Sequence, residues 1–232
     1  TIGGDLLTTG VLIASATDNT IEYNGSASQT IKDPQGSEYF NLTTGGTNTK
    51  SLTTATSILG SLTNSSIFNP ANNNITIGGN WSNSGTYQEG AETVTFSATS
   101  SQSVSGIATE VFNNLTISIS GNTWSSAIDI QVTGTLDITD ALINMGENRI
   151  TLGSGTGSTG TFNTTGTVVI SGEFERWVNA ANQTGLIFPV GAGSQANQIE
   201  LDINTLDVEG SLVASFTADT PTGINNPPLR DE

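Results

Sequence analysis

The chain has 232 residues, with 5 Lys and Arg against 21 Asp and Glu, a net charge of −16 at pH 7, and neither histidine nor cysteine. This excludes a Ser–His–Asp triad, a cysteine nucleophile, a disulfide and a His–Cys zinc site, and leaves oxygen ligands as the only metal chemistry. Five scattered cations cannot follow a phosphate backbone, and no run of about 18 apolar residues is present, so neither nucleic acid nor membrane insertion is expected.

Only 11% of residues are charged and 34% are hydrophobic, with 27 glycines. A core can form, but the surface must be built from Thr, Ser and Asn. The chain opens directly on Thr1-Ile2-Gly3-Gly4, from which no signal peptide is expected, and this motif recurs at Thr76-Ile77-Gly78-Gly79. Such an opening in the middle of a unit is expected of a slice from a longer array. Thr20-Ile21-Glu22-Tyr23 then places an apolar residue at every second position, the period of a half-buried strand. Seventy-three positions on, Thr93-Val94-Thr95-Phe96 does the same. The whole stretch 19–43 matches 92–116 in register: Gln29 with Gln102, Ile31 with Val104, Leu42 with Leu115. The match continues with slips of one or two positions through Leu62 with Leu136 and Ile75-Thr76-Ile77 with Ile150-Thr151-Leu152.

Leu115-Thr116-Ile117-Ser118-Ile119 and Leu136-Asp137-Ile138 extend the alternation, and Asn24-Gly25, Gly45-Gly46 and Ser120-Gly121-Asn122 mark turns. No stretch has a helical period. The predicted class is all-β: a parallel β-solenoid (β-helix) over 1–170, with units at about 1–75 and 76–150 and a partial one at 151–170. Three turns, each of about 25 residues, fill one unit and give about seven turns over the repeat region. The alternative is a string of β-sandwiches, which should show linkers; Gly78-Gly79-Asn80-Trp81 runs straight into the next unit. Stacked turns would also let Asn and Thr satisfy one another.

After Val168-Val169-Ile170 the repeat fades. Ile199, Leu201 and Ile203 alternate with polar residues, and Leu212, Ala214 and Phe216 share one side of the next strand. These predict an antiparallel β cap or small β-sandwich over 171–220. The stretch 221–232, rich in Pro and Asn, is expected to be an extended tail.

Four segments carry a family resemblance: Thr95–Gly106, Phe112–Ile117, Thr76–Tyr87 and Phe174–Gly191. In this order they resemble the large secreted and cell-surface β-repeat proteins of the Bacteroidota, adhesin-like cargo of the type IX secretion system. The resemblance implies an extracellular structural or adhesive role, a sorting domain that 1–232 does not include, and no catalytic residues.

No catalytic, cofactor or metal residue is assigned, and the chain is expected not to be an enzyme. Asp129, Asp137, Asp140 and Glu147 are the acids best placed for Ca²⁺, but no calcium-loop spacing occurs. Glu173 and Glu175 flank Phe174 beside Arg176, which reads as a solvated edge or a local ion pair. Trp81 aligns with Leu6 and belongs in the core, as does Trp177, while Trp124, following Gly121-Asn122-Thr123, is the better candidate for an exposed sugar platform. Thr-x-Thr pairs fall at irregular intervals, as strand propensity alone would place them. Expected partners are other copies or further repeats end to end, building a filament where an open coil end meets another subunit, and surface glycans. The alternative function is a carbohydrate-binding or polysaccharide-processing β-helix protein.

Overall fold

A computed structural model describes residues 1–6, 9–180 and 183–217. The tail at 221–232 lies outside the described residues. Each turn of the chain lays down three short strands, and with one break on the second face the strands pair in parallel with their counterparts one turn on. The result is a parallel β-solenoid of about seven turns with a few antiparallel strands at its C-terminal end.

The first face carries Thr20–Tyr23, Asn41–Thr44, Leu62–Asn64, Trp81–Asn83, Gln102–Gly106 and Thr123–Ser126. The second carries Gln29–Thr30, Thr49–Ser51, Ile67–Asn69, Thr86–Tyr87, Glu110–Phe112 and Ile130–Val132. The third carries Glu38–Tyr39, Thr56–Ile58, Ile75–Ile77, Thr93–Phe96 and Asn114–Ser118. The longer strands Thr135–Leu152 and Thr161–Val178 run round whole turns and contribute to every face.

Alternation fixes which side chains point in. Tyr39, Ile58, Ile77, Phe96, Ile117 and Ile138 are register partners on successive turns of the third face, and all are buried. Their numbering advances by nineteen at each step as far as Phe96 and by twenty-one at each step after it. On the first face the column Ile21, Leu42, Leu62, Trp81, Val104 advances by nineteen to twenty-three. A turn is therefore shorter than the sequence repeat suggests, by about one fifth. Three strands of two to five residues with tight corners close a smaller triangle than the unit length implied.

This changes how the sequence repeat maps onto the coil. Thr20–Tyr23 lies on the first face, but its copy Thr93–Phe96 lies on the third, three turns and two thirds farther on. The copy is rotated by one face.

Outward Asn and Ser side chains stitch the corners. Asn41 Oδ1 accepts from Ser61 N at 2.8 Å, Ser61 Oγ from Asn80 N at 3.0 Å, and Asn80 Oδ1 from Ser103 N at 2.9 Å. Asn74 and Asn114 do the same for Thr93 and Thr135 on the third face. Backbone donors at the bends, which a flat ladder would leave open, are thereby satisfied.

At the C-terminal end Thr161–Val178 pairs in parallel with the previous turn as far as Leu152 and Arg176, so the boundary expected near 171 falls within a strand. Its last part, Phe174–Val178, also pairs antiparallel with Gly210–Ala214, and Gln183–Phe188 pairs antiparallel with Ile199–Ile203. Among the described residues, no helix is long and apolar enough to cross a membrane.

Candidate functional site

Among the described residues, the second face is interrupted once. Thr86–Tyr87 ends a four-stranded ladder that begins at Gln29–Thr30, while Glu110–Phe112 pairs only with the turn above it, Ile130–Val132. At the same level the first and third faces stay closed: Trp81 pairs with Val104 and Phe96 with Ile117. The coil is slotted on one side. The slot holds a cavity of about 220 Å³ lined by Asn83, Tyr87, Glu89, Ile107, Glu110 and Val111, among others. In a parallel ladder hydrogen bonds alternate along the strand. Glu110 N and Phe112 O bond upward to Asp129 and Thr133, so the amide and carbonyl of Val111 face the slot.

Glu110 shares its parity with Phe112 and therefore points inward, only 4% exposed. Its Oε2 accepts from the Trp81 indole N–H at 2.8 Å, and Asn83 Nδ2 donates to Oε1 at 3.1 Å and Oε2 at 2.9 Å. A directional chain leads up to it. Thr44 Oγ1 donates to Asn64 Oδ1, Asn64 Nδ2 donates to Asn83 Oδ1, and Asn83 Nδ2 donates to the carboxyl. Each donor polarises the next toward Glu110. Trp81 packs edge-on against Tyr87 at 5.0 Å and Phe112 at 5.4 Å, an aromatic wall that excludes water. Burial pushes the Glu110 carboxyl up to about 7; the Asn83 and Trp81 hydrogen bonds pull the other way, and Glu89 adds to the rise. Glu92, also buried, accepts from the Tyr87 hydroxyl and from Gly90 N, and desolvation with this bond drives the Tyr87 phenol upward.

A second buried charge is Lys50, inward on the second face and fully covered. Its ammonium donates to three carbonyls, Gly25 O at 2.9 Å, Ala27 O at 3.0 Å and Thr47 O at 2.7 Å, and desolvation lowers its pKa. Every proton on the nitrogen is used internally, so it serves as a structural clamp.

The acids singled out in the sequence do not converge. Asp129 Oδ1 accepts from Arg149 N, Asp137 Oδ1 from Asn163 Nδ2, and Asp140 Oδ1 from Thr167 N. Among the described residues, no three Asp or Glu side chains form a group that could hold a metal. Glu173 and Glu175 do enter an ion pair, but with Arg149 one turn below, at 2.5 and 3.0 Å. Arg176 is drawn inward over Phe162 and Phe188 instead. Trp81 is in the core and Trp177 is half-buried. Trp124, expected at the surface, is fully buried and edge-on to Phe96 at 5.5 Å, because it shares the inward column of Gln102 and Ile143. It offers no sugar platform.

Neither Glu110 nor Lys50 stands out in the sequence reading. A signal for Glu110 exists: an acid at the same parity as Phe112 in a strand can only face the core. Lys50, between Thr49 and Ser51, gives no such sign. No family model, curated protein or solved structure matches this chain.

Proposed function

We propose that the chain is a non-enzymatic structural and adhesive module of a bacterial cell-surface protein, working outside the cell as a rigid rod. The observation that carries this reading is the alignment of outward side chains. On the first face Thr43, Thr63, Ser82 and Ser105 are register partners on successive turns, and on the third face Ser57, Thr76, Thr95 and Thr116 are. Turns rise by about 4.8 Å, so these columns make flat strips of hydroxyls with few charges. Such strips suit hydrogen bonding to glycan hydroxyls, each group being donor and acceptor at once. End-to-end contact with further repeats or other copies, extending into a filament, and export by the type IX route belong to the same proposal. A glycan array paired with a polysaccharide degradation screen tests it. Retention on glycans without release of products is expected, and turnover of any polysaccharide overturns the reading.

The slot favours one second reading, a polysaccharide-processing protein. Glu89 and Glu110 line one cavity, and a carboxyl raised to about 7 has the acidity of a general acid. Against it, both oxygens of Glu110 already accept from Trp81 and Asn83. The same screen, repeated on Glu110→Gln, separates the two.

A further inference from the structure

We propose that the slot in the second face is a binding site for a primary alkylammonium group, with Glu110 as its counter-charge. The Glu110 carboxyl sits among neutral and acidic groups. Its donors, the Trp81 indole and the Asn83 amide, are neutral. The titratable groups around it are Glu89 and the hydrogen-bonded pair Glu92 and Tyr87, and among the described residues none that lines the slot is cationic. A buried carboxylate without a compensating positive charge is costly, and a second acid close by makes it more so. A cation entering the slot would remove that cost.

The cavity also selects which cation. Among the described residues no three acids group in the way a metal ion needs, so a bare divalent ion lacks ligands here. The walls combine Ile107, Ala108 and Val111 with the acidic Glu89, and the alternation along the strand turns the Val111 carbonyl toward the slot. Apolar surface suits the methylenes of an alkyl stem, while carboxyls and a carbonyl together match the three donors of an ammonium. A volume of about 220 Å³ accommodates one such group and not an extended chain. The interrupted ladder thus has a use: closing the second face at this level would pair the Val111 backbone and leave Glu110 inaccessible.

The ammonium could belong to a protein lysine or to an amino sugar, and the experiment distinguishes them. Trp81 is one of three tryptophans, and its indole N–H bonds directly to the carboxyl, so its ¹H–¹⁵N resonance, assigned through Trp81→Phe, reports occupancy. The whole chain is titrated at physiological ionic strength with n-butylammonium, with Nα-acetyl-lysine amide, with glucosamine, and with neutral 1-butanol and calcium chloride. Saturable shifts of the Trp81 resonance are expected with butylammonium and with at least one natural amine, which names the source. Binding of n-butylammonium and of Nα-acetyl-lysine amide, which stay protonated across the range, should weaken about a hundredfold from pH 8 to pH 5, as Glu110 takes up its proton. Glu110→Gln should abolish the shift and Glu89→Gln should weaken it several-fold, while Asp137→Asn, on the outer surface, should leave it unchanged. The proposal is overturned by an unresponsive Trp81 resonance, an equal response to butanol, a response to calcium alone, or pH-independent binding. The pH series on the unaltered chain keeps the test decisive should Glu110→Gln fail to fold.

Discussion

Glu110 makes the stability of the coil depend on pH in a direction opposite to that of most carboxylates. In the unfolded chain its carboxyl loses its proton near the ordinary 4.5, while in the folded coil it holds it to about 7. Between these values the folded state binds more protons, so stability falls as pH rises. The contribution is fully present below pH 4.5 and is lost as pH climbs through 7. A rise of two and a half units at 1.36 kcal/mol each amounts to about 3 kcal/mol. Glu110→Gln is the perturbation, because the amide can accept from Trp81 and Asn83 as the neutral acid does and cannot ionise. Urea unfolding followed by tryptophan fluorescence, at pH steps from 4 to 8.5, gives the difference between the two proteins. That difference should grow by about 3 kcal/mol in favour of the variant across this range. Other acids, including Glu175, which burial would raise but which Ser211, Thr151 and Arg149 bring below its ordinary value, cancel in the comparison. A constant difference from pH 4 to 8.5 refutes the reasoning.

Three further perturbations probe the coil. Lys50→Met leaves the carbonyls of Gly25, Ala27 and Thr47 without their donor and should cost about 3 kcal/mol in the same unfolding assay. Gly85→Ala would place a Cβ 2.1 Å from Ser66 O, a backbone atom on the turn below, and should cost about 2 kcal/mol; Gly157→Ala, which meets nothing within 4 Å, should be neutral within about 0.5 kcal/mol. Trp124→Ala should cost about 4 kcal/mol by the cavity it leaves, a loss that an exposed tryptophan would not show.

The fold is legible because a parallel solenoid writes its pattern into every strand. Ile21 and Tyr23, Val94 and Phe96, Leu115 and Ile117 alternate with polar residues, the mark of half-buried strands, and a repeat that runs on without linkers favours stacked turns over separate sandwiches. The turn length is less legible. The sequence repeat divides evenly into three, and corners carry no apolar marker, so the spacing alone suggests a longer turn than the coil makes. Trp124 misleads for a related reason: Gly121-Asn122-Thr123 makes a turn, but the tryptophan after it already occupies the inward column of the next strand. The slot is illegible except through Glu110, since an interrupted ladder depends on loop paths at 88–92 and 107–109 that no periodicity describes.

The mismatch between repeat and turn has a structural consequence. A copy displaced by whole turns would return each side chain to its own face; this one is displaced by three turns and two thirds and must work one face over. It does so where the interaction is confined to neighbouring turns. Gln29 Nε2 donates to Ile2 O and Gly4 O, and Gln102 Nε2 donates to Ile77 O and Gly79 O, the same clamp on a different face. The copies part where the partner above differs. The register partner of Gln29 is Lys50, holding its three carbonyls, whereas that of Gln102 is Trp124. Gln29 Oε1 accepts from Gly25 N, but Gln102 Oε1 and Trp124 Nε1 are both buried with no hydrogen-bond partner among the described residues. Local clamps therefore survive rotation round the coil, and it is the contents of the core above them that make one face unlike another.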